Sequence, residues 1–115
     1  MPHFIIDCSE NLIAIKTPEE LMQQVYDAAD ATGLFGQGDI KVRINPFNLY
    51  NVGNTNNDFI HVFGNIMEGR TADQKNELSR KIVLALKLLF PEVPIISINI
   101  RDFKKTGYCN KSMVN

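Results

Sequence analysis

The 115-residue sequence lacks a long apolar run, an excess of charge of one sign, and a set of cysteines. Without about 20 consecutive apolar residues, it contains no candidate membrane-spanning helix. Its 12 basic and 13 acidic residues give a net charge of −1. That balance argues against a dedicated nucleic-acid-binding protein, which usually carries a basic excess. Cys8 and Cys109 are too few for a disulfide framework, so we expect free thiols.

Other absences narrow the class of protein further. The chain does not begin with a basic segment followed by an apolar one, so we expect a cytoplasmic location by default. His3 and His61 are isolated, and no group of His, Cys and carboxylate residues has the spacing of metal ligands. We therefore expect no metal, membrane or nucleic-acid partner. The hydrophobic content of 44% and charged content of 22% are ordinary for a soluble globular domain.

The spacing of apolar residues divides the chain into strands and helices. Alternation predicts four strands, at residues 4–8, 40–44, 59–63 (or as far as Ile66) and 95–100. Helical spacing predicts two helices, at residues 17–31 and 71–89. Thr17 and Thr71 each open a capping box at the start of a helix. Pro46 is expected to prevent a long continuation of the second strand, and the polar tail has at most a short strand.

These elements repeat along the chain in the order strand, helix, strand. Equivalent residues of the two halves are 54 to 56 positions apart, which predicts a duplicated βαβ unit. The prediction is one domain, residues 1–115, with pseudo-repeats at about 2–50 and 57–103. We expect a two-layer α+β fold in which a four-stranded mixed sheet carries two helices on one face. Apolar residues occur on both faces of the first and third strands, so we expect other subunits to cover the second face.

Pro2 is the first candidate for chemistry. It follows Met1 and is a small residue, which is compatible with removal of that methionine. Removal would leave a free secondary amine at the start of a strand, and a neutral amine held in place is a base. Many chains begin with Met-Pro, however, and the simpler interpretation is that Pro2 only opens a strand.

Three cationic residues are candidates for binding an anion. Arg70 immediately precedes Thr71, so its guanidinium would stand beside a helix N-terminus, where a carboxylate is favoured. The alternative is a solvated arginine in a loop. Lys41 and Arg43 share one face of the second strand, and they either bind an anion or simply form its polar face. A terminal amine and a few cations suit proton transfer on a small anionic substrate.

The opening residues 1–11, Met-Pro-His-Phe-Ile-Ile-Asp-Cys-Ser-Glu-Asn, carry a family resemblance. With the duplicated βαβ order they resemble the tautomerase superfamily, and more closely the 5-carboxymethyl-2-hydroxymuconate isomerases. Residues 31–35, the strand with Lys41 and Arg43, and the Gly69-Arg70 pair fit the same family. The resemblance implies an enzyme that interconverts keto and enol groups, ketonising 5-carboxymethyl-2-hydroxymuconate in the catabolism of aromatic compounds.

The resemblance also implies a homotrimer, no cofactor, and a role for each candidate. Pro2, freed by removal of Met1, would carry the proton, while Arg70, Arg43 and Lys41 would bind the small carboxylate dienol. Lys41 stands where a second arginine is expected, so its contact would be a single point rather than a fork. Two alternatives stay open. One is a tautomerase for another enol, such as 2-hydroxymuconate or phenylpyruvate, and the other is a non-catalytic trimeric binding module.

Overall fold

The computed structural model describes all 115 residues, which form four strands and three helices. In chain order these are β1 (His3–Ser9), α1 (Leu12–Ile15), α2 (Pro18–Asp30), β2 (Lys41–Phe47), β3 (Phe59–Met67), α3 (Ala72–Leu89) and β4 (Ile95–Phe103). The expected α+β fold is confirmed, and α1 is a short helix in addition to the two predicted ones. None of the helices combines the length and the apolar character needed to cross a membrane.

The sheet has the strand order β2-β1-β3-β4. β1 pairs in parallel with β2, and β3 pairs in parallel with β4. The two parallel pairs meet where β1 runs antiparallel to β3, so the sheet is mixed. Each parallel pair is joined by one long helix, as a βαβ crossover requires. β1 is therefore an inner strand, held by hydrogen bonds on both sides.

Both long helices begin as their sequences predict. The Thr17 hydroxyl accepts the backbone N–H of Glu20 at 3.1 Å, and the Thr71 hydroxyl accepts that of Gln74 at 3.1 Å. In each case the longer side chain accepts the backbone N–H of the threonine in return. The capping boxes satisfy N–H groups that have no partner within the helix, which fixes where each helix leaves the sheet edge.

The core lies between the two long helices and one face of the sheet. Alternate residues of β1 and β3 pack beneath inward-facing stripes of α2 and α3. The fully buried members of the core are Phe4, Ile6, Cys8, Leu12, Ile60, Val62, Ile66, Leu21, Val25, Ala29, Leu78, Ile82 and Leu86. Gly64 marks a close approach within this layer, because a Cβ added there would stand 2.6 Å from the Ile100 Cδ1 atom.

The opposite face of the sheet, which we call the open face, has no helix over it. In a single chain its side chains are half-buried or exposed. Its central part consists of His3, Ile5, Asp7, His61, Phe63, Asn65, Ser97, Asn99, Lys41, Arg43 and Arg101. The open face is thus mostly polar, with apolar residues among the polar ones.

The predicted ends of two strands need correction. β2 does not stop before Pro46 but runs to Phe47, because β2 is an edge strand that pairs only with β1 and tolerates a missing N–H. β4 extends beyond Ile100 to Phe103, since β3 provides partners as far as Met67. The tail forms 3₁₀ turns at Lys105–Gly107 and Lys111–Met113, and no strand.

Candidate active site

Pro2 directly precedes His3, the first residue of the inner strand β1, and is buried. Its carbonyl accepts the backbone N–H of Lys41 at 3.1 Å, which continues the parallel ladder by one position before β1 begins. Pro2 precedes Phe4 by two residues and therefore shares the helix-facing side of the strand. The sheet holds the start of the chain in one place, as a positioned terminal group requires.

The terminal amine lies in surroundings that disfavour its charged form. The pKa of the Met1 amine is lowered from its ordinary value of 8.0, chiefly by burial. Asp39 opposes this by raising the pKa, while the positive charges of Lys41 and Arg70 lower it further. Desolvation and like charge both destabilise an ammonium group, so this end of β1 favours a neutral amine.

Arg70 lies in the turn before α3. Its side chain is on the face of the sheet that the helices cover, near the start of β1. Its Nη2 donates to the Leu34 carbonyl at 2.7 Å, and its Nη1 donates to the Met67 carbonyl at 3.3 Å. The guanidinium carbon stands 5.2 Å from the centroid of the Phe35 ring. A guanidinium has five N–H donors, so Arg70 is oriented by these contacts and still has donors for a carboxylate.

Lys41 turns toward the start of the chain. Its ammonium donates to the Asp39 carbonyl at 2.6 Å and lies 3.8 Å from the Met1 sulfur. Lys41 and Arg70 are thus the two predicted cations that the structure brings to the terminal amine. Together with the amine they form a site that can attract an anion and exchange a proton with it.

Arg43 lies apart from this group within one protomer. It is exposed on the open face, where its Nη1 stands 3.1 Å from the His3 Nδ1 atom. The pKa of His3 is lowered from 6.5, first by burial and then by Arg43, Lys41 and the terminal amine. The predicted set therefore divides, with Arg70 on the helix side of the sheet end and Arg43 on the open side.

Sequence reasoning missed three residues of this region. His3 is an isolated histidine in the sequence pattern, and that pattern assigns no role to Phe35 or Asp39. Phe35 also packs edge-on against Phe4, with ring centroids 6.1 Å apart, which fixes the ring beside Arg70. His3 could have been found from its position opposite Lys41 in the parallel pair of β1 and β2. That register is known only once the two strands are aligned.

A surface groove of about 730 Å³ does not include these residues. It is an open groove along the outer side of α3, lined mainly by charged and polar side chains between Asp73 and Lys87. Size alone is a weak guide here. We favour the end of β1 as the functional site because it combines a buried terminal residue, oriented cations and a shifted pKa.

A family model described as 5-carboxymethyl-2-hydroxymuconate isomerase matches residues 2–114. The chain belongs to this family. The resemblance stated on the opening residues is thereby confirmed, and the chain is an enzyme, an isomerase that interconverts keto and enol groups. A curated member, the 5-carboxymethyl-2-hydroxymuconate Delta-isomerase of Escherichia coli, is 25% identical over 92 residues, which cover 78% of this chain and 73% of the relative.

Several solved structures have the same fold as this chain. A 5-carboxymethyl-2-hydroxymuconate isomerase from Deinococcus radiodurans R1 superposes with a TM-score of 0.80 at 24% identity, over 96% of this chain and 88% of the other. A fused 4-OT symmetric trimer superposes with a TM-score of 0.80 at 15% identity, over 97% and 94% of the two chains. At these identities the structural similarity establishes the tautomerase fold. It does not determine the substrate or the oligomeric state.

Proposed function

We propose that this isomerase, once Met1 has been removed, ketonises 5-carboxymethyl-2-hydroxymuconate with Pro2 as the proton carrier. The observation that carries the proposal is the position of Pro2, which is buried directly before the inner strand β1 and is held there by the bond from the Lys41 backbone N–H to its carbonyl. The lowered pKa of the Met1 amine at this place agrees with it. Removal of Met1 moves the amine one residue further along the chain, onto the buried Pro2. An amine with a lowered pKa is neutral in a larger fraction of molecules at pH 7, and only the neutral form accepts a proton.

The reaction is a proton transfer with no net change in composition. The Pro2 nitrogen takes the proton of the 2-hydroxyl group, and the oxygen lone pair becomes part of a new C=O bond. The displaced π electrons move along the conjugated chain and form a C–H bond with the proton that Pro2 returns. A single positioned acid–base group contributes about 10²–10⁴-fold to such a reaction.

The cations have complementary roles in this proposal. Arg70 and Lys41 are both near enough to lower the pKa of the amine, so they bind the carboxylate nearest the reacting end and favour the charged dienolate. Arg43, on the open side of the sheet end, binds a more distant carboxylate. A substrate with several carboxylates can contact both groups, and a substrate with one cannot. This is why we favour the tricarboxylate over phenylpyruvate enol.

We also propose that the enzyme is a homotrimer in which the open face lies against other subunits. On this face Phe47 of β2 pairs with Ser9, and Phe59 of β3 pairs with Ile95. Phe47 and Ile95 are exposed in the single chain. Exposed apolar residues on an uncovered sheet face are typical of a subunit interface. The fused 4-OT trimer provides a precedent for such an assembly on this fold. Light scattering at several concentrations measures the mass, and a stable monomer would contradict the trimer.

The substrate is tested by comparing enols with one, two and three carboxylates in an ultraviolet assay. The enols are phenylpyruvate enol, 2-hydroxymuconate and 5-carboxymethyl-2-hydroxymuconate. Arg43→Ala should lower kcat/KM about 10-fold or more for the tricarboxylate, the order of one charge-assisted hydrogen bond, and little for phenylpyruvate. Arg80→Ala, an exposed arginine on α3, is the matched control. Equal losses for all three enols would favour the alternative, a tautomerase that acts on another enol.

A further inference from the structure

His3 is a polar residue of the site that the proposed reaction does not use. It begins β1, directly after Pro2, and its side chain lies on the open face. Its Nδ1 atom is 3.1 Å from the Arg43 Nη1 atom, which makes this contact the structure's only hydrogen bond from the Arg43 side chain to a protein side chain or carbonyl. The contact links His3, which follows Pro2, to Arg43, which is the most exposed of the proposed substrate-binding cations in the single chain.

The chemistry of the two side chains fixes the direction of this bond. A guanidinium has five N–H donors and no acceptor, so the Nδ1 atom of His3 must be the acceptor. An accepting Nδ1 carries a lone pair, which makes the imidazole neutral with its proton on Nε2. An imidazolium would present an N–H to the guanidinium and could not form this bond.

Within one chain, the surroundings of His3 contain cations and no carboxylate partner for an imidazolium. Lys41 and Arg43 face it from β2, and the terminal amine adds a third positive charge. From the tail, Lys104 lines the same small cavity as His3, beside Phe103 and Tyr108. Asn65, its register partner on β3, is uncharged. The contact to Arg43 is therefore made by a histidine whose neutral form the whole neighbourhood favours.

We propose that His3 is a positioning residue, whose Nδ1 atom holds the Arg43 guanidinium in the orientation in which it binds a substrate carboxylate. The inference rests on the proposed function only in the role it gives Arg43. An arginine side chain has many conformations, and fixing one before the substrate arrives removes part of the entropic cost of binding. Protonation of His3 removes the acceptor and adds a like charge, which releases Arg43.

Two substitutions separate the acceptor from the ring. Asn at position 3 places an amide oxygen close to where Nδ1 lies and does not titrate, whereas Leu removes the acceptor. With the tricarboxylate we expect His3→Leu to raise KM about 3- to 10-fold, the order of one net hydrogen bond, with kcat within about twofold. His3→Asn should keep the KM of the parent. Adding His3→Leu to Arg43→Ala should cause no further rise in KM.

The pH dependence of KM gives a readout that a purely structural role would not move. In the parent, KM should rise as pH falls through the pKa of His3, because the protonated ring no longer accepts the Arg43 N–H. His3→Asn retains the titration of the terminal amine but should lose this rise. Identical KM profiles in parent and His3→Asn would overturn the proposal, as would a parent-like KM in His3→Leu.

An NMR measurement of the His3 ring tests the contact without any substrate. The nitrogen shifts should show an unprotonated Nδ1 in the parent, and Arg43→Ala should raise the imidazole pKa by removing a neighbouring positive charge. A protonated Nδ1, or a pKa unmoved in Arg43→Ala, would overturn the proposal whatever the activity. A parent-like KM in Arg43→Ala would instead refute the proposed role of Arg43, so the two failures are distinguishable.

Discussion

Replacing Arg70 should affect stability and activity by separate, measurable amounts. Arg70→Ala removes two hydrogen bonds, at 2.7 and 3.3 Å, and a cation–π contact at 5.2 Å. The group is only half-buried, so water can replace part of what is lost, and we expect the free energy of unfolding to fall by about 1–2 kcal/mol. Loss of a charge-assisted bond to the substrate carboxylate should lower kcat/KM about 10- to 150-fold.

The two effects are distinguished by measuring urea unfolding and the ultraviolet activity assay on the same samples. A 1–2 kcal/mol loss from the roughly 5–15 kcal/mol of a typical domain leaves the variant folded, so reduced activity then reports on substrate binding. Arg70→Lys keeps the charge without the fork and should be intermediate. Arg80→Ala removes an exposed arginine and should change neither quantity. Parent-like kcat/KM in folded Arg70→Ala would refute the role assigned to Arg70.

Two further predictions concern the core. Gly64→Ala would place a Cβ 2.6 Å from the Ile100 Cδ1 atom and should lower the free energy of unfolding by about 1–3 kcal/mol. Gly107→Ala is the control, because a Cβ there would have no atom within 4 Å and should not lower it. Equal urea midpoints for the two variants would contradict this prediction. Burial raises the pKa of the Cys8 thiol from 9.0 to about 11. Between pH 9 and about 11 the thiol ionises in the unfolded chain but stays neutral in the folded one. The free energy of unfolding should therefore be unaffected by this thiol below pH 9 and should fall by about 2–3 kcal/mol as the pH rises to 11. The stability difference between parent and Cys8→Ala should therefore change with pH, and a constant difference would refute this sign.

The elements that could be predicted from sequence are those determined by neighbouring residues. The strand periodicity around Phe4 and Phe59 and the capping boxes at Thr17 and Thr71 involve contacts within a few positions. The end of β2 could not be predicted, because whether Pro46 breaks a strand depends on whether that strand is at the sheet edge. The length of β4 likewise depends on β3, which continues to pair as far as Phe103.

The same distinction applies to the candidate site. Pro2 and Arg70 could be named from local sequence, one by its place after Met1 and the other by its place before a helix cap. The contact that orients Arg70 joins it to Leu34, 36 positions earlier, and no local pattern indicates it. The pairing of His3 with Arg43 spans 40 positions and requires the parallel register of β1 and β2. Long-range geometry, rather than residue type, was the missing information.

The central claim is that the free amine of Pro2 is the base. It is tested by comparing chains that retain Met1 with the same chains after treatment with a methionine aminopeptidase. Intact-mass spectrometry gives the fraction of chains that have lost Met1, and the dienol assay gives the activity of each sample. We predict activity in proportion to the processed fraction, because an amide nitrogen cannot accept the proton. Full activity in chains that all retain Met1 would contradict the account.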